Sequence, residues 1–185
     1  SDAIESNIHL RDIPMLAGSS YKLHLMLLLA ASHMEPQALD RFKEVLESGI
    51  YYAVINKIAP NVTERTFVSW CPKLCSIREL PELNAFVEHA VKPVVADWKQ
   101  NNLSNFLRLG LDSMQQYRIK FILGKITAYI DQLRMNNPTV TTMQAYLVSS
   151  VEIEHIMPQN CSDKAGYGMT AAEFPVYLNR LGNLT

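Results

Sequence analysis

A carboxylate and an imidazole stand side by side near the carboxy-terminal end of the sequence. Glu154 and His155 are followed by Pro158 three residues beyond the histidine. An imidazole with a pKa near neutrality can take a proton from water, and carboxylate oxygens are preferred ligands of Mg²⁺ and Mn²⁺. The pair therefore suits metal-assisted hydrolysis at a phosphate, and the alternative is a structural histidine at a strand edge. A zinc protease motif would need His-Glu-x-x-His on a helix, which is a different order.

The segments around this pair indicate a short β structure. Residues 151–154 alternate apolar and acidic side chains, which predicts a half-buried strand. Gly182 and Asn183 lie between apolar residues and suit a tight turn between strands. Neighbouring side chains of a strand point to opposite faces, so Glu154 and His155 converge only where the chain bends. Pro158 favours such a bend.

The sequence before residue 150 has helical periodicity. Between residues 112 and 136, apolar residues recur at spacings of three, four and seven, and Asp112 is a candidate cap for the start of this helix. Pro93 is expected to kink or split its own helix. We therefore predict a mainly α chain with helices over residues 21–32, 37–47, 50–58, 62–74, 83–101, 112–136 and 142–149.

Composition restricts the class of protein and its surroundings. The chain has 185 residues, with 17 Lys and Arg against 18 Asp and Glu, so no basic excess indicates a nucleic-acid partner. The longest apolar stretch, residues 23–31, is less than half of the about 20 residues that span a membrane. Three cysteines give no disulfide framework, and no secretory signal opens the sequence. We expect a cytoplasmic protein without a membrane partner.

Two motifs give the chain a family resemblance. Residues 152–159 read Glu-Ile-Glu-His-Ile-Met-Pro-Gln, and residues 178–185 read Leu-Asn-Arg-Leu-Gly-Asn-Leu-Thr. In order and separation they resemble the nuclease domain of GmrSD-type modification-dependent restriction enzymes, which are HNH, or His-Me finger, endonucleases. Residues 117–126 and 62–67 are similar, more loosely, to helical parts of the same family.

The resemblance implies roles for individual residues. His155 corresponds to the general base that activates water, and Glu154 to the residue before it, which is often a metal ligand. Asn183 corresponds to the asparagine that holds the catalytic loop and orients the histidine, with Asn179 as a less favoured substitute. The implied cofactor is a divalent metal, Mg²⁺ or Mn²⁺. The implied partner is DNA, foreign or modified, and a homo-oligomer is possible.

The resemblance also sets expectations for domain organisation. A helical domain is expected over residues 1–149, followed over 150–185 by the amino-terminal part of an HNH domain, an incomplete ββα segment. The family's last metal ligand and its amino-terminal Asp-Gly-Gln-Gln-Arg motif are not in the sequence, so any nucleotide would act through a domain absent from this chain. We therefore expect a piece truncated at both ends and inactive alone. The alternative is a helical interaction or dimerisation module without catalysis.

Overall fold

The computed structural model describes residues 7–135, 145–147 and 150–185. This part of the chain is mainly helical, as predicted, and contains no β-strand. None of its helices is long and apolar enough to cross a membrane. The α-helices are α1 (Ile8–Ala17), α2 (Leu23–Ala30), α3 (Pro36–Ile55), α4 (Pro60–Leu74), α5 (Leu80–Phe86), α6 (Lys92–Trp98), α7 (Asn102–Leu107), α8 (Gln116–Met135) and α9 (Phe174–Leu178).

The chain forms two compact units that divide between Asn105 and Phe106. The domain boundary predicted between residues 149 and 150 adjoins residues outside the described part, and it stays a prediction. The predicted end of the long helix at residues 136–138 also lies outside the described residues. Of the helix predicted over 142–149, residues 145–147 are described and are helical.

The first unit is built around a continuous apolar core. Helix α1 packs on α3, and α2 packs on α4. Phe67 is fully buried, and its ring stacks on Trp70 at 5.4 Å between centroids. The Trp70 ring meets Phe86 edge-on at 6.1 Å. Aromatic side chains bury large areas and gain further from such geometries, so this cluster anchors α4 and α5.

One helix replaces the two that were predicted over residues 37–47 and 50–58. Helix α3 runs through Gly49 without interruption. A helical glycine costs about 1 kcal/mol relative to alanine. Burial of Leu46, Ile50 and Ala53 on the same helix outweighs that cost. The periodicity analysis also missed α1. The residue before this helix, Asn7, caps it: the Asn7 side chain accepts a hydrogen bond from the Leu10 amide at 3.2 Å.

Pro93 splits its helix, as predicted. Helix α5 is followed by a π-helical turn over Val87–Val91 and then by α6. The Lys92 amide donates to the Val87 carbonyl, five residues earlier. Because proline has no amide hydrogen and crowds the carbonyl four residues before it, this wider turn lets the helical path continue.

The predicted strand over residues 151–154 is wrong. These residues form no strand, and pairing is reduced to an isolated antiparallel bridge between His155 and Leu184. The predicted tight turn between strands at Gly182 and Asn183 is instead a 3₁₀ turn, Leu181–Asn183. That turn lies opposite residues 156–158, so it limits the pairing on that side of the bridge. The ββα arrangement therefore does not follow from the described fold.

Candidate active site

Backbone hydrogen bonds place His155 within the second unit. The amides of Glu154 and Thr185 each donate to the other's carbonyl, at 2.9 and 3.0 Å. The Ile156 amide donates to the Asn183 carbonyl at 2.9 Å. His155 lies between these contacts, so its backbone is fixed on both sides against the end of the second motif.

Asn183 holds the loop that follows the histidine. Its side chain is buried, with 6% exposed. The Oδ1 atom accepts a hydrogen bond from the Met157 amide at 2.8 Å, and the Nδ2 atom donates to the Leu178 carbonyl at 2.7 Å. One amide group thus joins the 155–159 loop to the end of α9. Both bonds go to backbone, where they satisfy groups that would be costly to bury unpaired.

Asn179, not Asn183, contacts the imidazole. The half-buried His155 ring has Asn179 Oδ1 at 3.1 Å from Nε2, and Gln159 Nε2 lies 3.2 Å from Nδ1. The two tasks that the resemblance assigned to Asn183 are therefore divided. Asn183 fixes the loop, and Asn179 fixes the ring.

Asn179 is itself held by the segment that precedes α8. The Leu111 amide donates to its carbonyl at 2.9 Å, next to an antiparallel bridge between Gly110 and Arg180. Its side-chain Nδ2 donates to both carboxylate oxygens of Asp112, at 2.9 and 3.0 Å. The approach is close: a Cβ atom added at Gly110 would lie 2.1 Å from the Asn179 carbonyl oxygen.

Sequence reasoning missed Asp112 as a member of this site. It interpreted the residue as a helix cap, but α8 begins at Gln116 and the carboxylate bonds to a side chain 67 positions later. Neither periodicity nor motif spacing carries a signal for such a contact. Gln159 was noticed as part of the first motif, without a task.

Both motifs fall in the part of the chain that matches a family model. Residues 99–185 match the C-terminal domain of the GmrSD restriction endonucleases. Over these residues the chain is similar to the GmrSD-type family. No curated protein and no solved structure is significantly similar to the chain. The family is one of restriction endonucleases, so the match indicates nuclease activity on DNA in the intact protein.

A divalent metal in this segment would need oxygen ligands, and the candidate carboxylates are those of Glu154 and Asp112. The Glu154 side chain is exposed, and its carboxylate makes no hydrogen bond or ion pair within the described ranges. The Asp112 carboxylate is engaged with Asn179. Among the described residues, no three His, Cys, Asp or Glu side chains cluster as a metal cage. Mg²⁺ is commonly held by one or two carboxylates together with water and substrate phosphates, and Glu154 fits that mode.

An apolar cavity lies behind the 155–159 loop of the same segment. It has a volume of about 780 Å³, and Ile156, Met157 and Asn183 contribute to its walls. Neither His155 nor Glu154 lines it. The polar site therefore lies outside this cavity, with Glu154 exposed and His155 half-buried.

Proposed function

We propose that the 99–185 segment carries the hydrolytic site of a metal-dependent, HNH-type DNA endonuclease, with His155 as general base. The observation that supports this best is the hydrogen-bonded fixation of the His155 ring. Asn179 and Gln159 contact its two nitrogens, and the buried Asn183 holds the loop behind it. An imidazole fixed in this way beside an exposed carboxylate has the parts that phosphodiester hydrolysis needs.

In the proposed reaction, His155 accepts a proton from the attacking water. The water oxygen forms a bond to phosphorus, and the bond from phosphorus to the leaving deoxyribose oxygen breaks, with its electron pair remaining on that oxygen. The base must be positioned within a fraction of an ångström, because small misplacements cost about 10²-fold in rate. Asn183 contributes to this accuracy, because its side chain holds the Met157 amide two residues after His155.

Glu154 would hold the divalent ion, Mg²⁺ or Mn²⁺. A bound divalent ion supplies electrostatic stabilisation of the negative charge that develops on the phosphate and the leaving oxygen. The Glu154 backbone is anchored by its two hydrogen bonds to Thr185, so the carboxylate is presented from a fixed position.

The decisive experiment is His155→Ala in the intact enzyme, assayed by nicking of supercoiled plasmid with Mg²⁺ or Mn²⁺. Loss of a general base lowers the rate by about 10²–10⁴-fold. DNA affinity should change little, since it depends mainly on phosphate contacts elsewhere. The control is His89→Ala, which removes an exposed imidazole from the first unit. Full-rate cleavage by folded His155→Ala enzyme would exclude the base assignment.

The role of Glu154 has its own test. Glu154→Gln should raise the metal concentration that gives half-maximal cleavage, because an amide is a weaker ligand for a hard cation than a carboxylate. Glu152→Gln is the matched control, since Glu152 is also exposed and lies two residues earlier. Identical metal titrations of the Glu154 variant and the wild type would remove Glu154 from the metal site.

The same assay separates the remaining alternatives. If the segment is instead a helical interaction module without catalysis, His155→Ala should leave cleavage by the intact enzyme unchanged. Binding of a partner, or dimer formation, should also be unchanged. The expected inactivity of this 185-residue chain alone stays a prediction. It is tested by comparing its His155-dependent nicking with that of the intact enzyme.

A further inference from the structure

We propose that Asp112 is a positioning residue, which acts through Asn179 to determine which ring nitrogen of His155 carries the proton. Its consequence for catalysis rests on the proposed function, in which His155 is the base. The structural part of the proposal concerns the imidazole alone and can be measured without DNA.

The hydrogen-bonding capacity of the Asp112 carboxylate fixes the orientation of the Asn179 amide. An ionised carboxylate only accepts hydrogen bonds, whereas an asparagine side chain has one donor end and one acceptor end. Both oxygens of Asp112 lie within 3.0 Å of one side-chain atom of Asn179. That atom must therefore be the NH₂ nitrogen, and the amide cannot turn around without bringing two acceptors together.

The fixed amide then dictates the state of the ring. With its NH₂ group on Asp112, Asn179 presents its carbonyl oxygen to His155 Nε2 at 3.1 Å. Nε2 must carry the hydrogen to make this bond, so in the neutral ring the lone pair is on Nδ1. The NH₂ group of Gln159, 3.2 Å from Nδ1, agrees with that assignment. Nδ1 is thus the nitrogen available to take a proton from water, once the exposed Gln159 side chain gives way.

The backbone around Asp112 is also held by local hydrogen bonds that do not involve the Asn179 side chain. It lies in a turn in which the amides of Ser113 and Met114 both donate to the Gly110 carbonyl, at 3.0 and 3.2 Å. The Ser113 hydroxyl also accepts from the Gly110 amide at 3.0 Å. These bonds hold the turn whichever way the Asn179 amide points, which is the arrangement expected of a group that imposes an orientation on its neighbour.

Charge reversal at position 112 tests the proposal. In Asp112→Lys the partner of Asn179 is a donor, so the amide turns its oxygen to position 112 and its NH₂ group to His155. Nε2 then has to accept, and the hydrogen moves to Nδ1. The probe is the ¹⁵N spectrum of the histidine-labelled 185-residue chain at a pH where the rings are neutral. The signal of His155 among the five histidines is assigned with His155→Gln.

We expect the ratio of the Nε2–H form to the Nδ1–H form to fall by about two- to tenfold in Asp112→Lys, the worth of one hydrogen bond. Asp97→Lys makes the same charge change at an exposed site of the first unit and should leave the ratio unaltered. Should Asp112→Lys not fold, Asp112→Ala should still lower the ratio, because the amide is then free to turn. An unchanged ratio in a folded Asp112 variant would overturn the proposal.

The outcomes for the two proposals can be told apart. A tautomer that responds to Asp112 in a chain whose intact enzyme cleaves DNA without His155 would support the positioning role and reject the base. A tautomer that ignores Asp112, with cleavage that still requires His155, would reject the positioning role and leave the base in place.

Discussion

Both units of this chain contain buried apolar side chains, and the second unit also uses side-chain amides to position a candidate active site. In the first, apolar side chains such as Phe42, Phe67 and Leu83 are buried almost completely. The first unit's side-chain hydrogen bonds include local ones, as where Glu82 accepts from the Glu79 amide at 3.2 Å, and pairs that join helices, as where Asn56 donates to Asn102 at 3.0 Å. In the second unit, the side-chain amides of Asn179 and Asn183 connect segments that are far apart in sequence.

This difference separates stability from positioning. Hydrophobic burial is non-directional and scales with area, so it can hold helices together without fixing any one atom closely. Hydrogen bonds have narrow ranges of distance and angle, and an amide also distinguishes donor from acceptor. A site that must orient an imidazole needs the second kind of contact.

Truncation of a buried aromatic ring should give the largest loss of stability. We expect Phe67→Ala to lower the free energy of unfolding of the first unit by about 3–5 kcal/mol, since it removes a fully buried ring and leaves a cavity beside Trp70. Tryptophan fluorescence during urea unfolding is the measurement, because both tryptophans, Trp70 and Trp98, lie in this unit. Val68→Ala, at a neighbouring exposed position, is the control and should cost little. Equal midpoints for the two variants would contradict an apolar origin of this unit's stability.

Loss of the Asn183 side chain should destabilise the second unit by a smaller amount. Asn183→Ala leaves the Met157 amide and the Leu178 carbonyl without their partner, and each unsatisfied buried group costs about 1–3 kcal/mol. The Met157 amide should exchange with solvent at least about tenfold faster, as measured by hydrogen exchange. Asn160→Ala, at an exposed position directly after this loop, provides the comparison. If Met157 remained equally protected, Asn183 would not be holding the loop.

A methyl group at Gly110 should displace the Asn179 backbone and so disturb the site around His155. The added Cβ would lie 2.1 Å from a backbone oxygen, which cannot yield as a flexible side chain does. We expect Gly110→Ala to cost about 1–3 kcal/mol, as other overpacked positions do, and to alter the ¹⁵N signals of His155 through Asn179. Gly182→Ala has nothing within 4 Å of its new Cβ and is the matched control. Unaltered His155 signals in Gly110→Ala would indicate that the ring is positioned without the 110–112 turn.

The division also explains how far the sequence could be interpreted. The helices over 62–74 and 112–136 were predictable because burial of one face repeats along the sequence, and Pro93 was predictable because its ring acts on its own backbone. His155 could be recognised from its motif. Asp112 could not, because its contact with Asn179 depends on how two distant turns meet, and no local pattern records that. The strand over 151–154 was wrong for a related reason: alternation predicts a face, whereas a strand also needs a paired neighbour, which local alternation does not record.

The smallest expected effect concerns a polar group inside the apolar unit. His24 is 4% exposed, its ring stacks on Tyr21 at 5.8 Å, and its Nδ1 atom has no hydrogen-bond partner among the described residues. Burial, with the charge of Lys22 adding to it, lowers the pKa of His24 below its ordinary value of 6.5. Well above pH 6.5 the ring is neutral in both the folded and the unfolded chain. Its titration then makes no contribution to the free energy of unfolding.

As the pH falls below 6.5, the unfolded chain binds the proton before the folded chain does. The free energy of unfolding should therefore decrease, by at most about 1.4 kcal/mol per pH unit, until the lowered pKa of the folded state is reached. We expect His24→Phe, which keeps a ring beside Tyr21, to remove this part of the slope in urea unfolding followed by tryptophan fluorescence. His89→Phe changes an exposed histidine of the same unit and should retain it. If the slope survived in His24→Phe, the buried His24 ring would not be the group that binds the proton late. The apolar core of the first unit would then tolerate a charged imidazole.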